Sequence, residues 1–216
     1  MSFSPKQSVQ KRILVSLTAL TLTAVLAGCS SDNEADLDTT ETPDVETEYI
    51  PASADGPAQN VPEPKLPAVA TENTEEGAEA TLEYFWEAEE YARLTGSTEP
   101  LKIVSGDNCA FCTESIDGWP ESYDEGEWTA IQGELKPDIT DAQTAIDEEL
   151  GKPVAHVYFH LHEPATDFYD SEGARTDNSF DAPDVKDWFA LLYFDATAQR
   201  WEVEWLGLEE SITWEG

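Results

Sequence analysis

PVAHVYFHLHE, residues 153–163, reads in period two: Val157, Phe159 and Leu161 alternate with His156, Tyr158, His160 and His162. A strand puts alternate side chains on opposite faces, so this one buries its aliphatic side and shows a histidine-rich side. Working outward, residues 188–194 and 200–206 repeat the strand pattern, and the turn 195–199 joins them as a hairpin. Between them and the opening stretch lies a polar run, 167–184, with Asp170-Ser171-Glu172-Gly173 as a tight turn. On the N-terminal side, residues 128–135 form a further strand, and the acidic stretch 136–152 has no assigned element.

Before Trp128 the period becomes helical. Ala78, Leu82, Phe85, Glu89 and Ala92 follow the 3–4 spacing, and Trp86, Ala88 and Tyr91 widen the apolar face, so residues 75–94 form a helix. Thr74 caps it, Glu75, Glu76 and Glu79 complement its dipole, and Gly96 stops it. A helical turn at 100–104 follows. A second helix spans 110–123, kinked or ended by Pro120, with Asp107 or Asn108 as its cap. Helices followed by an antiparallel sheet give an α+β domain over residues 74–216.

The N-terminus carries a different signal. Lys6, Lys11 and Arg12 precede an apolar run over 13–25, and Leu26-Ala27-Gly28-Cys29 follows. The run is too short for a stable transmembrane span and has the form of an export signal, residues 1–28. The cysteine after two small residues is the lipoprotein pattern, with Cys29 as the lipidated mature N-terminus. Each buried methylene contributes roughly 0.8 kcal/mol, so two or three chains hold firmly. The expected location is the extracytoplasmic face of a cell membrane. Residues 29–73 are rich in Asp, Glu, Thr, Pro and Ala, and read as a disordered tether that Pro51, Pro57, Pro62, Pro64 and Pro67 stiffen.

Charge narrows the partners. The chain has 46 acidic and 11 basic residues; cleavage after Gly28 leaves 8 basic ones and a formal charge of −38. Nucleic acid is excluded, because its binding needs clustered Lys and Arg. The expected partners are the membrane through the lipid, a small apolar ligand or another envelope protein, with a homodimer as a further option.

The order of several motifs resembles that of an uncharacterised family of actinobacterial lipoproteins. Tyr84-Phe85-Trp86 lies in the first helix, Cys109-Ala110-Phe111-Cys112 opens the second, the Asp170–Gly173 turn precedes the last hairpin, and Arg200-Trp201-Glu202-Val203 starts its final strand. The resemblance implies a cystatin-like, nuclear-transport-factor-2-like cone of helices on a curved sheet. It implies no activity, and the 136–152 insertion departs from it.

With Cys29 taken by lipid, Cys109 and Cys112 remain as a pair in an oxidising compartment, and a structural disulfide is preferred over a redox or metal site. Asp107, Glu114 and Asp117 nearby disfavour a thiolate. His156, His160 and His162 are the candidate metal ligands, because alternate imidazoles on a strand can share one zinc; no metal or other cofactor is expected. The surrounding negative field should raise their pKa values. Tyr84, Tyr158, Asp187 and the three histidines are acid–base candidates that no pattern selects, and Trp86, Trp188, Trp201 and Trp205 read as core. No catalytic site is assigned. The preferred function is a non-enzymatic binding or interaction module of the envelope. An envelope enzyme with a metal or acid–base cone site is the alternative, and a thiol–disulfide accessory protein comes third.

Overall fold

The computed structural model describes residues 48–209; the apolar run, Cys29 and the first part of the acidic segment lie outside them. The described chain is α+β. Helix α1 spans Glu75–Thr95, α2 Glu99–Ile103 and α3 Ala110–Asp124. The strands are β1 Trp128–Ile131, β2 Lys136–Ile146, β3 Pro153–His162, β4 Thr166–Tyr169, β5 Lys186–Asp195 and β6 Arg200–Leu208. Four of them form an antiparallel sheet in the order β2-β3-β5-β6, and β1 pairs with β4 in a separate ribbon.

The helix ends follow from local chemistry. Thr74 Oγ1 accepts from Gly77 N at 3.1 Å, and Gly96 takes the left-handed conformation, φ 72°, that closes α1. In α3 the cap is neither Asp107 nor Asn108 but Cys109, whose Sγ accepts from Cys112 N at 3.1 Å. Asn108 is drawn away instead, donating from Nδ2 to Glu204 Oε2 at 2.9 Å. Helix α3 runs through Pro120 rather than ending there. Proline lacks the N–H that would bond the carbonyl of Ile116, and the hydroxyl of Thr98 approaches that oxygen at 3.4 Å. The Cys109–Cys112 disulfide is present, as expected.

Ala78, Leu82, Phe85 and Trp86 of α1 are fully buried against Ala155, Val157, Phe159, Ala190, Leu192, Trp201 and Val203 of the sheet. Trp86 fills the middle, with Phe111, Phe159 and Trp188 at ring distances of 5.7, 6.1 and 5.8 Å. The space between helices and sheet is therefore occupied by aromatic side chains.

Three sequence expectations need correction. The strand expected over 128–135 stops at Ile131, where the chain leaves the ribbon. The stretch 136–152 holds a full strand, β2, at the sheet edge, with an irregularity between Ile139 and Asp141. An edge strand has one neighbour and needs little apolar periodicity, and Pro137 and Asp138 suit such a position. Likewise β4 lies partly inside the expected polar run, held by four residue pairs to β1; the turn that follows it forms as expected, with Gly173 at φ 78° and its N–H on Asp170 O at 2.8 Å.

The largest correction concerns the tether. Residues 48–73 pack on the domain rather than leaving it at Thr74. Ile50 and Gln59 exchange backbone hydrogen bonds of 3.0 and 2.9 Å, Trp128 Nε1 donates to Ser53 O at 2.8 Å, and Trp201 Nε1 donates to Glu72 O at 2.9 Å. A 3-10 turn, Ala68–Thr71, buries Ala70 completely, and Leu66 packs on the core. The segment has few apolar side chains of its own, yet its carbonyls satisfy indole N–H groups, one of them in the core, and its prolines lower the entropy lost on ordering. Glu72 comes so close to α1 that a Cβ on Gly77 would collide with its carbonyl, which explains a glycine in the first turn of a helix.

Candidate functional site

Glu89 sits on the apolar stripe of α1 and is 1% exposed. A carboxylate there needs partners, because burying an uncompensated charge is costly. Arg93, one turn on, donates from Nε to Glu89 Oε1 at 3.2 Å, and Trp119 Nε1 of α3 donates to the same oxygen at 3.1 Å. Arg93 Nη1 donates to Glu163 Oε1, just beyond β3, at 2.9 Å, and its guanidinium lies 5.7 Å from the Trp119 ring centroid. Glu89 Oε2 is buried and receives no hydrogen bond from the protein.

The backbone around Arg93 is equally tied. Its carbonyl is among the last four of α1, which have no helical partner. Tyr123 donates its hydroxyl to that oxygen at 2.8 Å and Thr129 Oγ1 does so at 2.6 Å, which joins α1, α3 and β1. Burial pushes the Tyr123 pKa up to about 12. Its neutral hydroxyl thus contributes stability that is complete below the ordinary value of 10 and is lost as the pH rises through about 12. Tyr193, which donates to Asp147 Oδ2 at 2.6 Å, is also raised to about 12, first by that hydrogen bond and then by burial. An alkaline titration followed by tyrosinate absorbance should show both ionising late, and Tyr123→Phe should remove one late step and spare the other. Loss of neither would show that Tyr123 is solvated.

Glu89 and Arg93 floor a cleft of about 350 Å³ between α1, α3 and β4, walled by Phe111, Trp119 and Phe168 with Glu114 at its rim. Trp119 and Phe168 lie nearly parallel, centroids 6.2 Å apart and planes at 25°. A larger trough, about 670 Å³, runs between the 49–64 segment and α1, past Glu83, Glu87, Glu90 and Lys136. Burial raises Glu87 and Glu90, and Leu135 N donates to Glu90 Oε2 at 2.6 Å. Among the described residues, no side-chain nitrogen or oxygen along that trough is both buried and unpartnered, so the smaller cleft is the better candidate.

The residues singled out from sequence are not brought together. His156, His160 and His162 share the sheet face opposite α1, as expected, but among the described residues no group of three His, Cys, Asp or Glu side chains is placed to hold a metal. His160 Nε2 pairs with Asp187 Oδ1 at 3.0 Å. Burial lowers the His156 pKa, against the rise expected from the negative field, because its ring packs on Phe189 at 5.6 Å. Tyr158 packs on the same Phe189 at 5.0 Å, and Tyr84 is buried with its hydroxyl on Pro100 O at 3.1 Å. Trp86 and Trp201 are core and Trp188 packs against it, but Trp205 lies on the other face, 5.7 Å from Phe189. Arg93, Trp119 and Glu163 were not legible as a group. The one signal was Glu89 itself, a carboxylate within an apolar stripe and four residues before an arginine.

Residues 47–204 match the model of a family described as a family of unknown function, DUF6318. No curated protein matches the chain. Among solved structures, the crystal structure of the intermembrane space region of chloroplast protein ARC6 is similar over 62% of this chain and 95% of that chain, at 10% identity and a TM-score of 0.39.

Proposed function

This chain belongs to DUF6318, a family of unknown function, and on its own chemistry we propose that it is a lipid-anchored, extracytoplasmic binding module whose ligand seat is the cleft between α1, α3 and β4. The observation that carries the reading is Glu89: a buried carboxylate with one oxygen satisfied and the other without a hydrogen-bond partner, in the lining of an aromatic-walled cleft of about 350 Å³. Concave sites with aromatic walls and a few convergent polar groups are where small ligands bind, and 350 Å³ suits a single-ring molecule. The aromatic filling between helices and sheet favours this side cleft over a central cone pocket, and a binding role over an enzymatic one. Export is supported by the Leu26-Ala27-Gly28-Cys29 pattern and by the Cys109–Cys112 disulfide, which suits an oxidising compartment. Among the described residues no helix is long and apolar enough to cross a membrane; in this reading the anchor is lipid on Cys29, supported by the sequence pattern around it.

Two measurements test the reading. Screening small aromatic compounds while following the indole N–H resonances should move the signal of Trp119 before those of Trp86 and Trp201. A screen that leaves Trp119 unmoved would sink the cleft as a ligand seat. For the anchor, Cys29→Ser should release the protein from membranes or leave its precursor uncleaved, and unchanged, detergent-requiring retention would overturn lipidation.

A further inference from the structure

We infer, building on the cleft reading above, that the ligand carries a protonated amine with at least one N–H donor on a compact apolar body. The argument is a count of charge. Glu89, Arg93 and Glu163 form one connected group through bonds of 3.2 and 2.9 Å, with two carboxylates to one guanidinium. Arg93 and Glu89 are 8% and 1% exposed and the Glu163 side chain is 26% exposed, so water screens the Glu89 end of the group poorly and the Glu163 end better. The group is one positive charge short. Glu89 lines the cleft and its Oε2 is buried without a partner, so an ammonium N–H that reaches this oxygen as the carboxylate turns toward the cleft would supply both the missing charge and the missing hydrogen bond.

The walls select further. Phe111, Trp119 and Phe168 offer apolar and π surface, which suits the body of an arylalkyl or alkyl amine and attracts a cation to the ring faces. Glu114, exposed at the rim, adds negative charge at the entrance, and the formal charge of −35 concentrates cations around the molecule. An anionic ligand would meet Glu89 and Glu114 in the lining, and the one cation there, Arg93, is already paired with Glu89 and Glu163. A neutral alcohol could donate to Oε2 but would leave the charge uncompensated. A quaternary ammonium would supply charge but no donor.

Four probes with one ring and different heads separate these cases: benzylammonium, benzyltrimethylammonium, benzyl alcohol and benzoate. Each is titrated into the full chain while the Trp119 indole resonance is followed. Benzylammonium should bind about tenfold more tightly than the alcohol or the quaternary ion, the value of one charge-assisted hydrogen bond. Benzoate should not bind. Glu89→Gln should erase the advantage of benzylammonium over benzyl alcohol. Because Glu89 is buried, Glu114→Gln serves as a variant that spares the fold, and it should weaken benzylammonium about twofold with no effect on the alcohol. Equal binding of the alcohol, the quaternary ion or benzoate would overturn the ligand class while leaving the cleft as a ligand seat, as would indifference of benzylammonium to Glu89→Gln. If none of the four moves Trp119, the ligand seat itself falls.

Discussion

Arg93→Leu is expected to destabilise the fold by about 3–5 kcal/mol, the usual cost of stripping one partner from a buried ion pair. The loss is large because Arg93 is shared. Glu89, 1% exposed, would keep only the Trp119 indole, and the Glu163 carboxylate would lose its bond of 2.9 Å. Its guanidinium also lies over the Trp119 ring, so a cation–π contact is lost along with the ion pairs. Urea titration should show the midpoint falling without a change of slope. Adding Glu89→Gln should recover much of the loss, since glutamine removes the stranded charge and keeps an acceptor for Trp119. High salt should not rescue Arg93→Leu, because ions screen buried charges weakly. A cost below about 1 kcal/mol would place Arg93 among ordinary surface ion pairs and remove the basis for a charge-deficient cluster.

A chain that starts at Thr74 is expected to be less stable than one that starts at Glu48 by about 2–4 kcal/mol, from one stranded buried N–H and the exposure of the apolar surface beneath Ala70 and Leu66. The stranded group is Trp201 Nε1, which donates to Glu72 O from a fully buried ring. Gly77→Ala tests the same contact at one residue. In an open helix that change stabilises by about 1 kcal/mol; here the new methyl would strike the Glu72 carbonyl, so a loss is expected. Equal melting of the two chains, together with stabilisation by Gly77→Ala, would return residues 48–73 to the tether.

Position 89 shows where sequence and structure part. Helix α1, its cap Thr74 and its stop Gly96 were legible because each depends on neighbours within one or two turns. The same holds for the alternation of β3, the hairpin at Asp195 and the pairing of Cys109 with Cys112, two residues of one helical turn. These features need no knowledge of what lies across the molecule, so composition and period suffice for them. The edge strand β2 was hidden because its order comes from β3 beside it and not from its own apolar pattern. Residues 48–73 were hidden because their composition disfavours burial, while their carbonyls meet donors on Trp128 and on Trp201, which is 129 positions away from Glu72. The cleft was hidden for the same reason: its polar network joins Glu89 and Arg93 to the Trp119 indole and the Glu163 carboxylate, drawn from three separate parts of the chain. The sequence by itself determined the elements whose hydrogen bonds close locally. Only the tertiary structure decided which buried charge goes uncompensated, because that depends on distances between groups the chain order keeps far apart.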